Sequence, residues 1–97
     1  MKAIFIAYNQ AYNEEIADLL GTLGQRGFTR WEEIQGKGNV DGIPHMGSHA
    51  WPEMNNAILT AVEDSLAPKI LEALRQKDNE SPDLGIRAFM WNIETFC

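Results

Sequence analysis

Between Gly36 and Glu53 the chain reads GKGNVDGIPHMGSHAWPE, a glycine-rich, helix-breaking run. Gly36, Gly38, Gly42 and Gly47 let the backbone bend freely, and Pro44 and Pro52 interrupt any ladder it would join. Regular structure is therefore expected before and after this stretch, with a long loop between. The same stretch holds both histidines, His45 and His49, four apart with Met46 between them. Soft or borderline ligand chemistry is concentrated at one place.

The flanking segments divide into six elements. Lys2 to Tyr8 mixes β-branched and aromatic residues and predicts a strand. Asn13 to Gln25 predicts a helix: Glu14 and Glu15 suit its first turn, Ile16, Leu19, Leu20 and Leu23 lie on one face, and Gly24 and Gly27 stop it. Phe28 to Gln35 predicts a second strand and Met54 to Glu63 a third. Ser65 is placed to cap a helix with Pro68 in its first turn, whose apolar face is Ala67, Ile70, Leu71 and Leu74. That helix is expected to end in the polar run Lys77 to Pro82.

Gly85 to Cys97 predicts the last strand, with Phe89, Trp91 and Ile93 on one side and Ile86, Ala88 and Met90 on the other. The order β-α-β-β-α-β is that of a ferredoxin-like α+β sandwich, a four-stranded antiparallel sheet with two helices on one face. Apolar residues on both sides of the first and last strands then need a second cover. Residues 1–97 form one domain with no sequence left to supply it, so the expected cover is another subunit.

Composition narrows the function classes. A net charge of −6 and the lack of any Lys/Arg cluster argue against nucleic acid as a partner. No apolar run is long enough to insert in a membrane, and the first eight residues lack the features of a signal peptide. With a single cysteine, Cys97, the chain is read as cytoplasmic.

The residues Leu20 to Gly42, LGTLGQRGFTRWEEIQGKGNVDG, resemble the PII nitrogen-regulatory signalling proteins. In that family a first helix ends in a Leu-Gly-x-x-Gly turn, and a strand then leads to a Gly-x-Gly at the base of a long T-loop. Here these features are Leu23-Gly24, Gly27, the strand from Phe28, and Gly36, Gly38 and Gly42. The resemblance implies a homotrimeric regulatory sensor, not an enzyme, with a T-loop at 36–53 and small ligands held in the clefts between subunits. Gly36, Lys37 and Gly38 at the loop base, with Trp51, are the candidate ligand contacts. The chain also departs from the nitrogen-regulatory pattern. Val40 stands where those proteins carry the T-loop glutamine, the loop has no tyrosine, and the turn matching their basic nucleotide loop is Asp78 to Leu84, which is acidic.

One branch of the PII-like proteins has histidines in the T-loop and occurs beside heavy-metal efflux systems, which implies a transition metal as ligand and a membrane transporter as partner. The chemistry is coherent. Neutral imidazoles of His45 and His49 bind Cu, Zn or Ni, Met46 or Met54 would bias the site towards Cu(I), and Glu53 or Asp41 would complete a harder one. Cys97 is the strongest soft ligand, provided that folding or a neighbouring subunit brings it to the loop. Two readings stand beside this: a metal-free nucleotide or small-molecule sensor using the intersubunit cleft, and a loop whose histidines are merely solvated. An enzyme of this fold is the weakest reading, because Cys97 with two histidines lacks an oxyanion site. Adjacent Glu32 and Glu33 on a strand would face opposite ways and so would not pair.

Overall fold

A computed structural model describes residues 1–36, 54–82 and 85–97. Its elements are β1 (Lys2–Asn9), a 3₁₀ turn (Gln10–Tyr12), α1 (Asn13–Thr22), β2 (Thr29–Ile34), β3 (Asn55–Val62), α2 (Ala67–Glu80) and β4 (Arg87–Asn92). The strands form one antiparallel sheet in the order β2-β3-β1-β4. This is the ferredoxin-like arrangement that the element order predicts.

The register gives the sheet two unlike faces. Ile4, Ile6 and Tyr8 of β1 and Ile58 and Val62 of β3 share one face, where they join Ile16 and Leu20 of α1 and Ala67, Ile70 and Leu74 of α2 in a single buried core. Ile86 closes that core at the start of β4. On the outer face, Phe5 lies opposite Leu59 on one side and Phe89 on the other, while Ala3 lies opposite Trp91 and Ala57 opposite Trp31. Trp31, Phe89 and Trp91 remain 45%, 58% and 48% exposed. Phe5 meets Trp31 with ring centroids 6.5 Å apart. Among the described residues no helix covers this face, and none is long and apolar enough to cross a membrane.

Element ends follow from local hydrogen bonding. Helix α1 stops at Thr22, three residues before the predicted Gln25. There Gly24 takes φ +91°, its amide donates to the Gly21 carbonyl at 3.0 Å, and the Gln25 amide donates to the Leu20 carbonyl at 2.8 Å. That pair of hydrogen bonds closes the last turn and needs a glycine in the left-handed region. Ser65 does not cap α2. The N-cap is Leu66, which makes no side-chain cap, and the Leu66 and Ala67 amides donate instead to the Glu63 carbonyl. Pro68 sits in the first turn as expected. Strand β4 ends at Asn92, five residues before the predicted end, and the Ile93 amide just past it donates to the carbonyl of Met1 at 3.1 Å. Asp78, Asn79 and Glu80 belong to α2 rather than to the turn after it. Between the helices, Lys77 meets Glu15 at 2.9 Å, and that carboxylate holds the ammonium above its usual range.

Candidate functional site

The connection from α1 to β2 is pinned to β3 by one side chain. Gln25 Nε2 donates to the Thr60 hydroxyl oxygen at 2.7 Å, to the Gly27 carbonyl at 3.0 Å and to the Ala61 carbonyl at 3.1 Å. The Thr60 hydroxyl donates in turn to the Gly27 carbonyl at 2.6 Å. Thr60 is buried, so the bonds it makes there are sheltered from water. The result is a groove of about 430 Å³ lined by Gln25, Gly27, Phe28, Thr29, Leu59 and Ala61, with Thr60 in its wall. Thr29 and Leu59 oppose each other on the outer face of the sheet, so the floor of the groove is continuous with the aromatic face. Phe28 carries the Arg30 guanidinium 5.5 Å from its ring centre, and Arg26 is exposed in the same connection. Arg30 opposes Ile58 on the helix side of the sheet and pairs with Glu32, so Arg26 is the basic residue of the connection itself, and an apolar floor beside it suits a flat, anionic ligand.

At the other end of β2 a second polar cluster forms. Tyr8 donates its hydroxyl to Asn13 Oδ1 at 2.6 Å, and Asn56 Nδ2 donates to the same oxygen at 3.1 Å. Asn56 Oδ1 accepts from the Glu33 amide at 3.1 Å. Burial pushes the Tyr8 phenol above its ordinary value, against the opposing effect of its Asn56 neighbour. Glu33 adopts φ +56°, and β2 carries a register shift between Trp31 and Ile34. The strict alternation expected for Glu32 and Glu33 is therefore interrupted by a bulge. Both stay exposed, Glu32 lies 3.4 Å from Arg30, and neither makes an acid–base pair.

Of the sequence-predicted site residues, Gly36, Met54 and Cys97 fall among the described ones, Met54 with its carbonyl receiving the Gln10 amide at 2.9 Å. Lys37, Gly38, His45, Met46, His49, Trp51 and Glu53 lie outside them, as does the 37–53 part of the expected T-loop. Gly36 is where the chain leaves the sheet, and a Cβ there would stand 2.2 Å from Asn55 Nδ2 and 3.2 Å from its Cγ. Asn55 is itself buried and bonded, so it has little room to yield. Gly36→Ala is expected to cost about 1–3 kcal/mol in urea unfolding, as overpacking does. Adding Asn55→Ala should return part of it, and an unchanged midpoint for Gly36→Ala would show the approach to be loose. Cys97 is exposed at the chain end, and no cluster of three His, Cys, Asp or Glu side chains occurs among the described residues. Asp78, first of the acidic run, accepts from the Ile86 amide at 3.1 Å and so fixes the start of β4.

Sequence reasoning misses the groove. It places Gln25 in the helix and Gly27 at its stop, whereas the polar pair Gln25-Arg26 held between two glycines is the available signal.

The sequence profile of the nitrogen regulatory protein P-II family matches residues 1–96. The chain belongs to that family. Among solved structures, this P-II chain is similar to CPII, a nitrogen regulatory PII-like protein from Thiomonas intermedia K12 bound to ADP, AMP and bicarbonate, with 26% identity and a TM-score of 0.74. The match covers 95% of this chain and 88% of that one. The same protein bound to ADP and bicarbonate matches with 26% identity and a TM-score of 0.76, over 95% and 84% of the two chains. A putative PII-like signaling protein from Thermus thermophilus shares the P-II fold at 21% identity, with a TM-score of 0.70 over 95% and 84%. The chain has no match among curated proteins.

Proposed function

We propose that this P-II protein is a homotrimeric sensor that holds an adenine nucleotide, with a bicarbonate-sized anion, in a cleft formed when a second copy covers the outer sheet face. The observation that carries the reading is the position of the groove. Its floor at Thr29 and Leu59 runs into a face whose aromatic residues find no cover within the described chain, so a neighbouring subunit would supply the missing wall. The nucleotides and bicarbonate held by the CPII structures support the choice of ligand. Arg26 supplies positive charge in the connection that lines the groove, and the acidic run weighs less against a nucleotide once Asp78 is committed to the Ile86 amide.

The test is a calorimetric titration with ADP, with and without bicarbonate, of wild type and Ala61→Tyr. Ala61 is exposed in the groove, and tyrosine is at home in a strand, so the substitution fills the cleft without disturbing the Gln25 bond to the residue-61 carbonyl. Binding should weaken about tenfold or more in the variant. Equal affinity in the two proteins would remove the groove from the site.

The loop histidines support a second, separate site. His45 and His49, with Met46, Glu53 or Cys97 as further donors, would take a transition metal and alter the surface shown to a partner such as a membrane transporter.

A further inference from the structure

The bulge in β2 sets which side chains reach the outer face beyond it. Thr29, Arg30 and Trp31 oppose Leu59, Ile58 and Ala57, whereas Ile34 opposes Asn55, so Glu32 and Glu33 together stand against Asn56 alone. Side chains alternate along a strand, and one extra residue reverses the alternation. Ile34 therefore joins Trp31 on the outer face. In a strand without the bulge, Glu33 would oppose Asn55 there and Ile34 would turn to the other side.

Two features of the bulge pull in opposite directions. Glu33 is the one described non-glycine residue with positive φ, a conformation that costs an L-residue energy. Against that strain, its amide is captured by Asn56 Oδ1, while Asn56 Nδ2 is held on the Asn13 oxygen that also receives the Tyr8 hydroxyl. Asn56 and Tyr8 are buried, so the pair is fixed from the core side. The strain of one left-handed residue and the benefit of one sheltered hydrogen bond are similar in size. The balance rests on the Asn56 side chain and on Asn55, which must give way to the Gln35 side chain when a slip carries residue 35 to the place of Gly36.

We propose that Asn56 is a register latch: it holds the Glu32–Glu33 bulge, and its release lets β2 beyond Trp31 slip by one residue, exchanging Ile34 for Glu33 on the outer face of the sheet. The slip replaces an apolar side chain by a carboxylate at one end of that face. Thr29 to Trp31, beside the groove, keep their partners. The sheet thus contains an element with two discrete arrangements, the physical requirement for a switch. The inference stands on β2, β3 and the Tyr8–Asn13 pair that holds Asn56, and does not depend on which ligand the protein takes.

Cross-strand nuclear Overhauser effects in the full chain read the register directly. Wild type should show the Ile34–Asn55 contact and a left-handed Glu33. In Asn56→Ala the Glu33–Asn55 contact should appear, with the ratio of the two registers shifted by about tenfold, the size of one sheltered hydrogen bond. Combining Asn56→Ala with Glu33→Gly should bring the Ile34–Asn55 contact back, since glycine accepts positive φ without penalty. A chain with Asn56→Ala that keeps the wild-type contact and a left-handed Glu33 overturns the latch. If that variant fails to fold, Glu33→Val decides: it leaves Asn56 in place and only raises the left-handed cost, so an unshifted register there rejects the proposal and a slipped one supports it.

Discussion

Replacing Phe5 and Phe89 together by aspartate is expected to turn the protein into a monomer in sedimentation velocity at micromolar concentration, where wild type should sediment as a trimer. Phe89 lies directly opposite Phe5 in the β1–β4 register, and Leu59 flanks Phe5 on the other side, so the pair stands in the middle of the outer face. Each aromatic side chain taken out of water on association contributes about 1.5–3 kcal/mol, and two aspartates would have to be buried in their place. The loss of about 5 kcal/mol or more weakens association by several thousandfold. The fold should survive, because neither residue belongs to the core between sheet and helices. Far-UV circular dichroism checks that point. With the trimer gone, the groove loses its second wall, so ADP binding should disappear with it, whereas Ala61→Tyr should lose ADP and keep the trimer. A double variant that still sediments as a trimer would place the interface elsewhere.

The sequence carried the fold wherever a local rule and the global arrangement agreed. Leu23-Gly24 announced the end of α1 because only a glycine takes the left-handed turn that closes it. Pro68 marked the first turn of α2, and Phe89 and Trp91 were correctly set on the face opposite Ala88 and Met90. The aromatic face was legible too, since alternation alone showed that two helices could not cover both sides of β1 and β4. The failures have a common cause in hydrogen bonds that the folded backbone brings together, which leave no mark on composition. Ser65 has the right side chain for a cap, but the Glu63 carbonyl already receives the amides at that turn. The bulge at Glu33 depends on Asn56, twenty-three positions away, through a bond no periodicity encodes. The groove depends likewise on Gln25 reaching Thr60 and Ala61 across the edge of the sheet. The expected metal and loop-base contacts, Gly36, Met54 and Cys97 apart, fall outside the described residues.

The His45→Ala, His49→Ala double variant is expected to lose transition-metal binding by about a hundredfold or more in a calorimetric titration, while its ADP titration stays at the wild-type value. Two imidazoles four residues apart on glycine-spaced backbone are close enough to converge on one ion, and removing both leaves only thioether, carboxylate and thiol donors among the candidates. The third donor identifies the metal. For Zn or Ni, Glu53→Gln should matter more than Met46→Leu, because a borderline ion prefers nitrogen and oxygen; for Cu(I), Met46→Leu or Cys97→Ser should cost as much as either histidine. Cys97 ends an exposed tail, so it can serve only if the tail or a neighbouring copy carries it to the loop. The pH dependence has a definite sign. Imidazole binds metal only when neutral, and protons compete with the ion as pH falls through about 6.5, so affinity should be retained above that point and lost below it. Equal metal affinity in wild type and the double variant would remove the histidines from any site and move the weight of the reading to a metal-free ligand in the cleft beside Thr29 and Leu59.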